Sequence, residues 1–323
     1  MSQAIVVHQH GGPEVLSYEE WPLAAPGPGQ VAVRQTAIGL NFIDTYQRSG
    51  LYPQKLPFVA GSEGAGVVTA LGEGVTEFSI GDRVAYQGQI GAYATERLLN
   101  AERIVAIPDG VDDQVAAAIM LKGLTAYYLL FQTWPLAAGE TILWHAAAGG
   151  VGQIATQWAK SLGARVIGTA GSAEKVALAL ENGCDAVINY STEDFAERVK
   201  ELTGGRGVDV VYDGVGKSTF DKSLDCLRPR GLMVSFGNAS GVVSIPDLTV
   251  LSRKGSLYVT RPTTAHYVAE RSALVVAAGA LFEAVASGKI KVAVNQTFAL
   301  KDAAEAHRAL EGRQTTGSVV LLP

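Results

Sequence analysis

The residues best able to do chemistry by type and spacing are those at 143–152, L-W-H-A-A-A-G-G-V-G. A β-prone run at 140–144 leads into them, a helical run at 153–162 leads out, and a second strand-like run comes next at 165–169. Strand, tight glycine turn, helix and strand form the opening βαβ unit of a dinucleotide-binding fold. Gly149 lets the backbone approach a pyrophosphate, and Gly152 lets the new helix pack close to the strand. Gly150 and Val151 complete the turn and join Gly149 as predicted cofactor contacts. The helix N-terminus offers free N–H groups and the positive end of its dipole to the phosphates. Ala147 stands where the first glycine of G-x-G-x-x-G is usual, and an ordinary glycine turn of an α/β protein has a similar composition.

The residues just past the second strand bear on which dinucleotide is bound. NAD-binding versions of this unit place an acid about 20 residues past the glycine turn, on the ribose hydroxyls. Here 170–175 reads A-G-S-A-E-K, with no acid at the strand end. Gly171, Ser172 and Lys175 instead offer a small turn, a hydroxyl and a positive charge, which suit a 2′-phosphate and predict NADPH as the cofactor. The same residues also fit a plain N-cap at Ser172 followed by a solvated lysine on a helix face.

Two further clusters stand out. Residues 39–52, G-L-N-F-I-D-T-Y-Q-R-S-G-L-Y, put Asn41, Asp44, Tyr46 and Tyr52 close together. Polar groups between aromatics can line a cleft that stacks on a flat ligand. Equally, they can form a packed loop in which Asn41 and Asp44 cap turns. At 212–216, Y-D-G-V-G, and 235–238, S-F-G-N, Val215, Phe236, Gly237 and Asn238 fall just past two predicted strands. Ligands bind at that edge of open α/β sheets, and glycines there let backbone come close to a cofactor or simply end strands.

The elements that must position these groups change character along the chain. To about residue 122 the pattern is short strands, at 4–8, 30–38, 65–71 and 83–86, punctuated by Pro and Gly. That predicts a compact, barrel-like β-rich domain closed by a helix at 112–122. From about Gly123, strand and helix alternate: helices at 125–132, 173–182, 193–203 and 218–227, strands at 186–189, 208–213, 231–236 and 256–260. This is the signature of a parallel sheet with helices on both faces. The tail, 264–323, reads as two helical stretches, one at 301–310, and a final strand at 318–322. The predicted class is α/β, with domains at 1–123 and 124–262 and a return segment at 263–323.

Composition narrows the function. The chain has 323 residues and a net charge of -5, which gives no general attraction to nucleic acid or to an anionic membrane. The most apolar helical run, 273–286, is too short to span a bilayer. The N-terminus lacks a secretory signal's basic start. Cys184 and Cys226 have no metal or disulfide spacing, so a reducing, cytoplasmic setting is expected. A β-prone run at 256–260 ends the strand order, and such an edge predicts pairing into a homodimer.

Together H-A-A-A-G-G-V-G, A-I-G-L-N-F-I-D-T-Y, R-S-G-L-Y, V-A-G-S-E-G-A-G-V-V, L-K-G-L-T-A-Y-Y-L-L and S-F-G-N-A-S-G resemble the medium-chain dehydrogenase/reductase superfamily. The resemblance covers the whole chain and is greatest to the zinc-independent NADPH:quinone oxidoreductase, zeta-crystallin-like branch, its bacterial members above all. It implies a GroES-like catalytic domain that the last ~60 residues rejoin, a Rossmann domain, and NADPH-dependent reduction of a small-molecule quinone. It places Asn41, Asp44, Tyr46 and Tyr52 around the acceptor, with Asn41 also on the nicotinamide side. It adds Lys122 and Thr125 near the same crevice, Tyr190 by the adenine, and Val259 and Arg261 near the cofactor. Zinc relatives have cysteine at Asn41 and histidine at Ser62, so no metal is expected. A proton for the quinol comes from solvent, Tyr46 or Tyr52. An enone or alkenal double-bond reductase, and a non-catalytic NADPH-binding protein, share these features.

Overall fold

A computed structural model describes all residues, Met1–Pro323. The chain divides into two compact units, Met1–Leu124 with Val268–Gly288 and Val292–Pro323, and Thr125–Tyr267 with Lys289–Lys291.

The first unit opens with β1 (Ser2–Val7), β2 (Leu16–Trp21) and the 11-residue β3 (Gln30–Leu40). Then come α1 (Phe42–Ser49), β4 (Phe58–Val59), β5 (Glu63–Leu71), β6 (Arg83–Gln87), β7 (Glu96–Asn100) and β8 (Ile104–Ala106). α2 (Asp113–Tyr128) is next, and the unit boundary falls within it. The expected break at Gly123 is absent. This glycine serves packing, since a Cβ there would lie 2.4 Å from the side chain of Leu281. The helix runs on into a π-helical turn, Leu129–Thr133, so the predicted helices at 112–122 and 125–132 are one. By length and composition Asp113–Thr133 could cross a membrane, but 72% of that window is buried in the protein, as in a core helix.

The second unit contains β9 (Thr141–Trp144), α3 (Gly150–Ser161), β10 (Arg165–Ala170), α4 (Ala173–Glu181), β11 (Ala186–Asn189), α5 (Phe195–Leu202) and β12 (Val208–Asp213). It continues with α6 (Phe220–Asp225), β13 (Leu227–Ser235), α7 (Thr249–Arg253), β14 (Tyr258–Thr260) and α8 (Thr264–Tyr267). All its strands pair in parallel, in the order β11-β10-β9-β12-β13-β14. The order reverses beside β9, where doubly wound sheets bind dinucleotides. β9 and β12 are buried along their whole length, as strands covered on both faces must be. The unit extends past residue 262 because α8 belongs to it: Tyr267 stacks on Tyr128 at 4.5 Å, and its hydroxyl accepts from Thr133, 2.9 Å.

The chain returns to the first unit with α9 (Arg271–Ala286), β15 (Val294–Ala299), α10 (Ala303–Glu311) and β16 (Ser318–Leu322). β15 was not foreseen: its inner face, Val294, Gln296 and Phe298, is interrupted by a polar residue and only half-buried, yet it pairs in parallel with β16. β16 in turn pairs antiparallel with β3, completing a seven-stranded sheet beside the smaller β2-β1-β4 sheet. Leu300, Ala303, Val319 and Leu321 fill the same core as Ile5, Val33, Ile38, Val68 and Leu99.

Candidate active site

The C-terminal ends of the second unit's strands carry the predicted cofactor residues. Between β9 and α3 the turn is tight: Ala146 sits at φ +53°, a left-handed conformation that costs a residue with a side chain roughly 1–2 kcal/mol. The special backbone position is thus Ala146, beside the Ala147 that replaces a glycine. A Cβ on Gly152 would lie 2.5 Å from the Ala146 carbonyl oxygen, so glycine is required there. Gly149 is the extended N-cap of α3, with no side-chain cap, and a Cβ on it would meet only the Ala146 oxygen, at 3.1 Å. An uncapped helix start behind a bare backbone turn fits a pyrophosphate.

β10 ends in a neighbouring cradle. A Cβ on Gly171 would fall 2.4 Å from the Tyr190 hydroxyl, and Ser191 donates to the Gly171 carbonyl, 2.9 Å. Ser172 caps α4, its hydroxyl oxygen accepting from the Lys175 N–H at 3.3 Å. The N-cap reading is therefore right, and it still leaves the Ser172 hydroxyl a hydrogen to donate. Gly171, Ser172, Lys175 and Tyr190 form one corner with no carboxylate at the end of β10.

Past β12 and β13, Asp213 organises the loops. One carboxylate oxygen accepts from Val215 N–H at 2.8 Å and Gly216 N–H at 3.0 Å, the other from the Thr219 hydroxyl at 2.7 Å. A Cβ on Gly237 would stand 2.2 Å from the Gly214 carbonyl oxygen, so these two loops touch through backbone. Phe236 packs on Trp144, ring centroids 5.6 Å apart, and Asn238 is buried. Arg261 donates to the Ser235 carbonyl at 3.0 Å, and Val259 pairs with Met233 in the sheet. Thr125 is buried, its hydroxyl 3.3 Å from that of Thr264, three residues past Arg261. His145, inside the glycine-turn segment, is buried between the hydroxyls of Thr169 (3.0 Å) and Ser223 (2.8 Å). Burial holds it neutral, so it is part of the scaffold.

In the first unit the predicted acceptor residues sit on and around α1, a helix the sequence did not reveal. Asn41 is its extended N-cap, and the Asp44 carboxylate accepts from the Asn41 N–H at 2.9 Å, half of a capping box. Gly50, left-handed at φ +83°, ends it. Tyr46 and Tyr52 are half-buried and meet edge to face at 5.3 Å, and Phe42 packs on Tyr46 at 6.4 Å. Asp44 departs from the expectation that it lines a cleft. It is 1% exposed and turns inward, accepting also from Ser62 at 2.7 Å and Tyr93 at 3.0 Å. Burial outweighs those bonds and raises its carboxyl to about 6.

Glu63 was missed as a functional residue, although an acid at the head of the small, apolar run A-G-S-E-G-A-G-V-V was a readable signal. It is fully buried and accepts from the Asn41 side-chain amide and from the Leu121 N–H, 3.1 Å. Lys122 lies 3.5 Å from it and donates to the Leu40 carbonyl at 3.2 Å. Burial pushes the Glu63 carboxyl up, and the Lys122 charge draws it back. Two buried carboxylates thus fix Asn41, one by its backbone and one by its side chain.

A catalytic zinc needs about three N, S or O ligands with free lone pairs. Asn41 spends its amide N–H on Glu63, and Ser62 spends its hydroxyl hydrogen on Asp44. A neutral amide and a neutral hydroxyl are not among the Cys, His and carboxylate ligands that hold a catalytic zinc, so these two positions do not fit such a site, and Glu63 is paired with Lys122.

Two family models match the chain: the alcohol dehydrogenase GroES-like domain over residues 27–132 and the zinc-binding dehydrogenase domain over residues 150–275. A quinone oxidoreductase of Pseudomonas aeruginosa is 56% identical over all of both chains. A 2-haloacrylate reductase of Burkholderia is 50% identical, covering 100% of this chain and 99% of its own. Among solved structures, Escherichia coli quinone oxidoreductase complexed with NADPH superposes with a TM-score of 0.98 at 51% identity, over 99% of this chain and 100% of its own. With this match along the whole length, and with Asn41 and Ser62 where zinc relatives have ligands, the chain belongs to the zinc-independent NADPH:quinone oxidoreductase branch of the medium-chain dehydrogenases/reductases.

Proposed function

We propose that this protein reduces quinones with NADPH and without a metal. The observation that carries the reading is the Tyr46–Tyr52 ring pair at the helix whose N-cap, Asn41, is clamped by two buried carboxylates. A quinone is flat and electron-poor, and needs orientation more than activation. Bound NADPH supplies the hydride. Gly149, Gly150, Val151 and the start of α3 hold the pyrophosphate. Ser172 and Lys175 hold the 2′-phosphate, and Tyr190 borders the adenine. Val215, Phe236, Gly237, Asn238, Val259 and Arg261 shape the rest of the cradle. On the acceptor side Tyr46 and Tyr52 stack on the ring, and Asn41 orients it. Protons reach the quinol oxygens from solvent or from the Tyr46 or Tyr52 hydroxyl.

A second reading, reduction of an activated carbon–carbon double bond, is favoured by the likeness to the 2-haloacrylate reductase. Comparing kcat/KM for benzoquinones, naphthoquinones, enones and 2-haloacrylate separates the two. Quinones are expected to lead, and a higher value for an enone or 2-haloacrylate would give the function to the second reading.

Removing the stacking surface should be felt on the acceptor side. Tyr46→Ala or Tyr52→Ala is expected to raise the quinone KM about tenfold and leave the NADPH KM nearly unchanged, since a ring–ring contact contributes roughly 0.5–1.5 kcal/mol beyond its buried area. An equal rise in both would mean that the tyrosines only hold α1. Activity is also expected to survive exhaustive dialysis against a chelator. Loss of activity that zinc restores would contradict the metal-free site.

The reading extends to assembly and setting. β14 is the last strand of its sheet, and Tyr258 on it is 61% exposed. An open edge of this kind is satisfied by pairing with a second copy, supporting a homodimer through 256–260. Light scattering at micromolar concentration should give twice the chain mass, and a monomer would count against it. Cys184 and Cys226 are free and buried, in keeping with a reducing, cytoplasmic setting.

A further inference from the structure

The bonds that hold Asp44 continue beyond Tyr93. The Tyr93 hydroxyl also lies 3.1 Å from Nε2 of His307 on α10, and the two rings meet edge to face at 5.8 Å. Nδ1 of His307 is 2.8 Å from Nη1 of Arg48 on α1. Arg48 reaches Glu311 with two bonds, 2.8 and 3.1 Å, and the Gly11 carbonyl with its Nε at 3.1 Å. His307 and Arg48 are 0% and 2% exposed, so this series is interior until it meets Glu311.

Its direction is set by chemistry. A guanidinium only donates and does not give up its protons. Nδ1 of His307 therefore accepts, and the imidazole proton sits on Nε2. The Tyr93 hydroxyl accepts that proton's bond and sends its own hydrogen to Asp44. Burial, with Arg48 alongside, lowers His307 to about 3, so it stays neutral. Because Arg48 cannot pass a proton inward from Glu311, the series is a clamp and not a proton wire. At its inner end Asp44 grips the Asn41 N–H and the first turn of the helix that carries Tyr46.

We propose that Tyr93 and His307 are positioning residues for the acceptor site, holding Asn41 and Tyr46 through Asp44. The inference rests on the quinone-reductase reading given above. The titratable and charged groups facing the clamp are Glu63, from β5, and Tyr86, from β6, beside Asp44, and Arg48, Glu311 and His10 at its other end, the His10 ring 3.3 Å from the Arg48 carbonyl. Below about pH 6 Asp44 takes a proton and its three donors lose an acceptor charge, so acceptor kcat/KM falls on the acid side.

Tyr93→Phe keeps the ring and removes the hydroxyl. It is expected to raise the quinone KM about tenfold with the NADPH KM unchanged. It should also move the acid limb of quinone kcat/KM to higher pH, because Asp44 loses a donor that favours its charged form. His307→Leu should behave the same way, and His307→Gln, which can accept from Arg48 and donate to Tyr93, should recover most of that loss. The wild type is assayed first: no quinone turnover there would overturn the functional reading, and this inference with it. Wild-type turnover with unchanged quinone KM and acid limb in Tyr93→Phe would overturn the positioning role alone. So would an equal rise in both KM values. If His307→Leu fails to fold, Tyr93→Phe decides.

Discussion

Lys122→Ala is expected to destabilise the protein by about 3–5 kcal/mol, the usual cost of stripping one partner from a buried ion pair. The pair is closed to water: the Glu63 side chain is 0% exposed and that of Lys122 8%. Without Lys122, Glu63 keeps its bonds from Asn41 and Leu121 but loses the only cation drawing its carboxyl down. This fixes the sign with pH. A carboxyl raised in the native state holds its proton more tightly there than when unfolded, so stability is greatest at low pH and is lost as pH rises through the native value. Glu63 already lies above its ordinary value, and in the variant it lies higher still. The gap between variant and wild type in urea unfolding should therefore narrow at about pH 5 relative to about pH 7. Adding Glu63→Gln to Lys122→Ala should restore part of the loss at neutral pH. An equal gap at both pH values, with no relief from the second change, would mean that Lys122 matters only for packing.

Lys175→Ala is expected to raise the NADPH KM about ten- to a hundredfold and leave the NADH KM nearly unchanged. One charge-assisted hydrogen bond contributes roughly 1.5–3 kcal/mol, and only the 2′-phosphate distinguishes the two cofactors. Lys175 stands one turn into α4, its N–H on the Ser172 hydroxyl oxygen, so its position is tied to the capping residue itself. Ser172→Ala is a poorer probe, since it removes the helix cap as well as a phosphate donor. Equal loss of both cofactors in Lys175→Ala would place the phosphate contact elsewhere.

The proposed cofactor residues and the proposed acceptor residues differed in how openly the sequence declared the elements that carry them. The strands and the glycine turn on the cofactor side were legible because each part is local. T-I-L-W and V-D-V-V-Y-D are continuous runs of buried strand, and the glycine turn lies between a strand and a helix. The acceptor side hid its helix because the residues α1 buries are Asp44, Thr45, Gln47 and Arg48. A helix with a polar inner face shows no apolar periodicity, and its partners, Ser62, Tyr93, His307 and Glu311, come from distant parts of the chain. β15 escaped for a related reason, alternating between half-buried and exposed positions with no buried one. Gly123 misled in the opposite sense, since a glycine required by the Leu281 contact looks like a helix end when read alone.

The central claim is that the chain oxidises NADPH with a quinone and needs no metal to do so. The most direct test is the loss of NADPH absorbance on adding a simple benzoquinone to protein dialysed against a chelator. The expected result is rapid, quinone-dependent consumption of NADPH, one cofactor per quinone, with NADH used far less well. No quinone-dependent oxidation by the folded protein, or oxidation that appears only when zinc is returned, would contradict it.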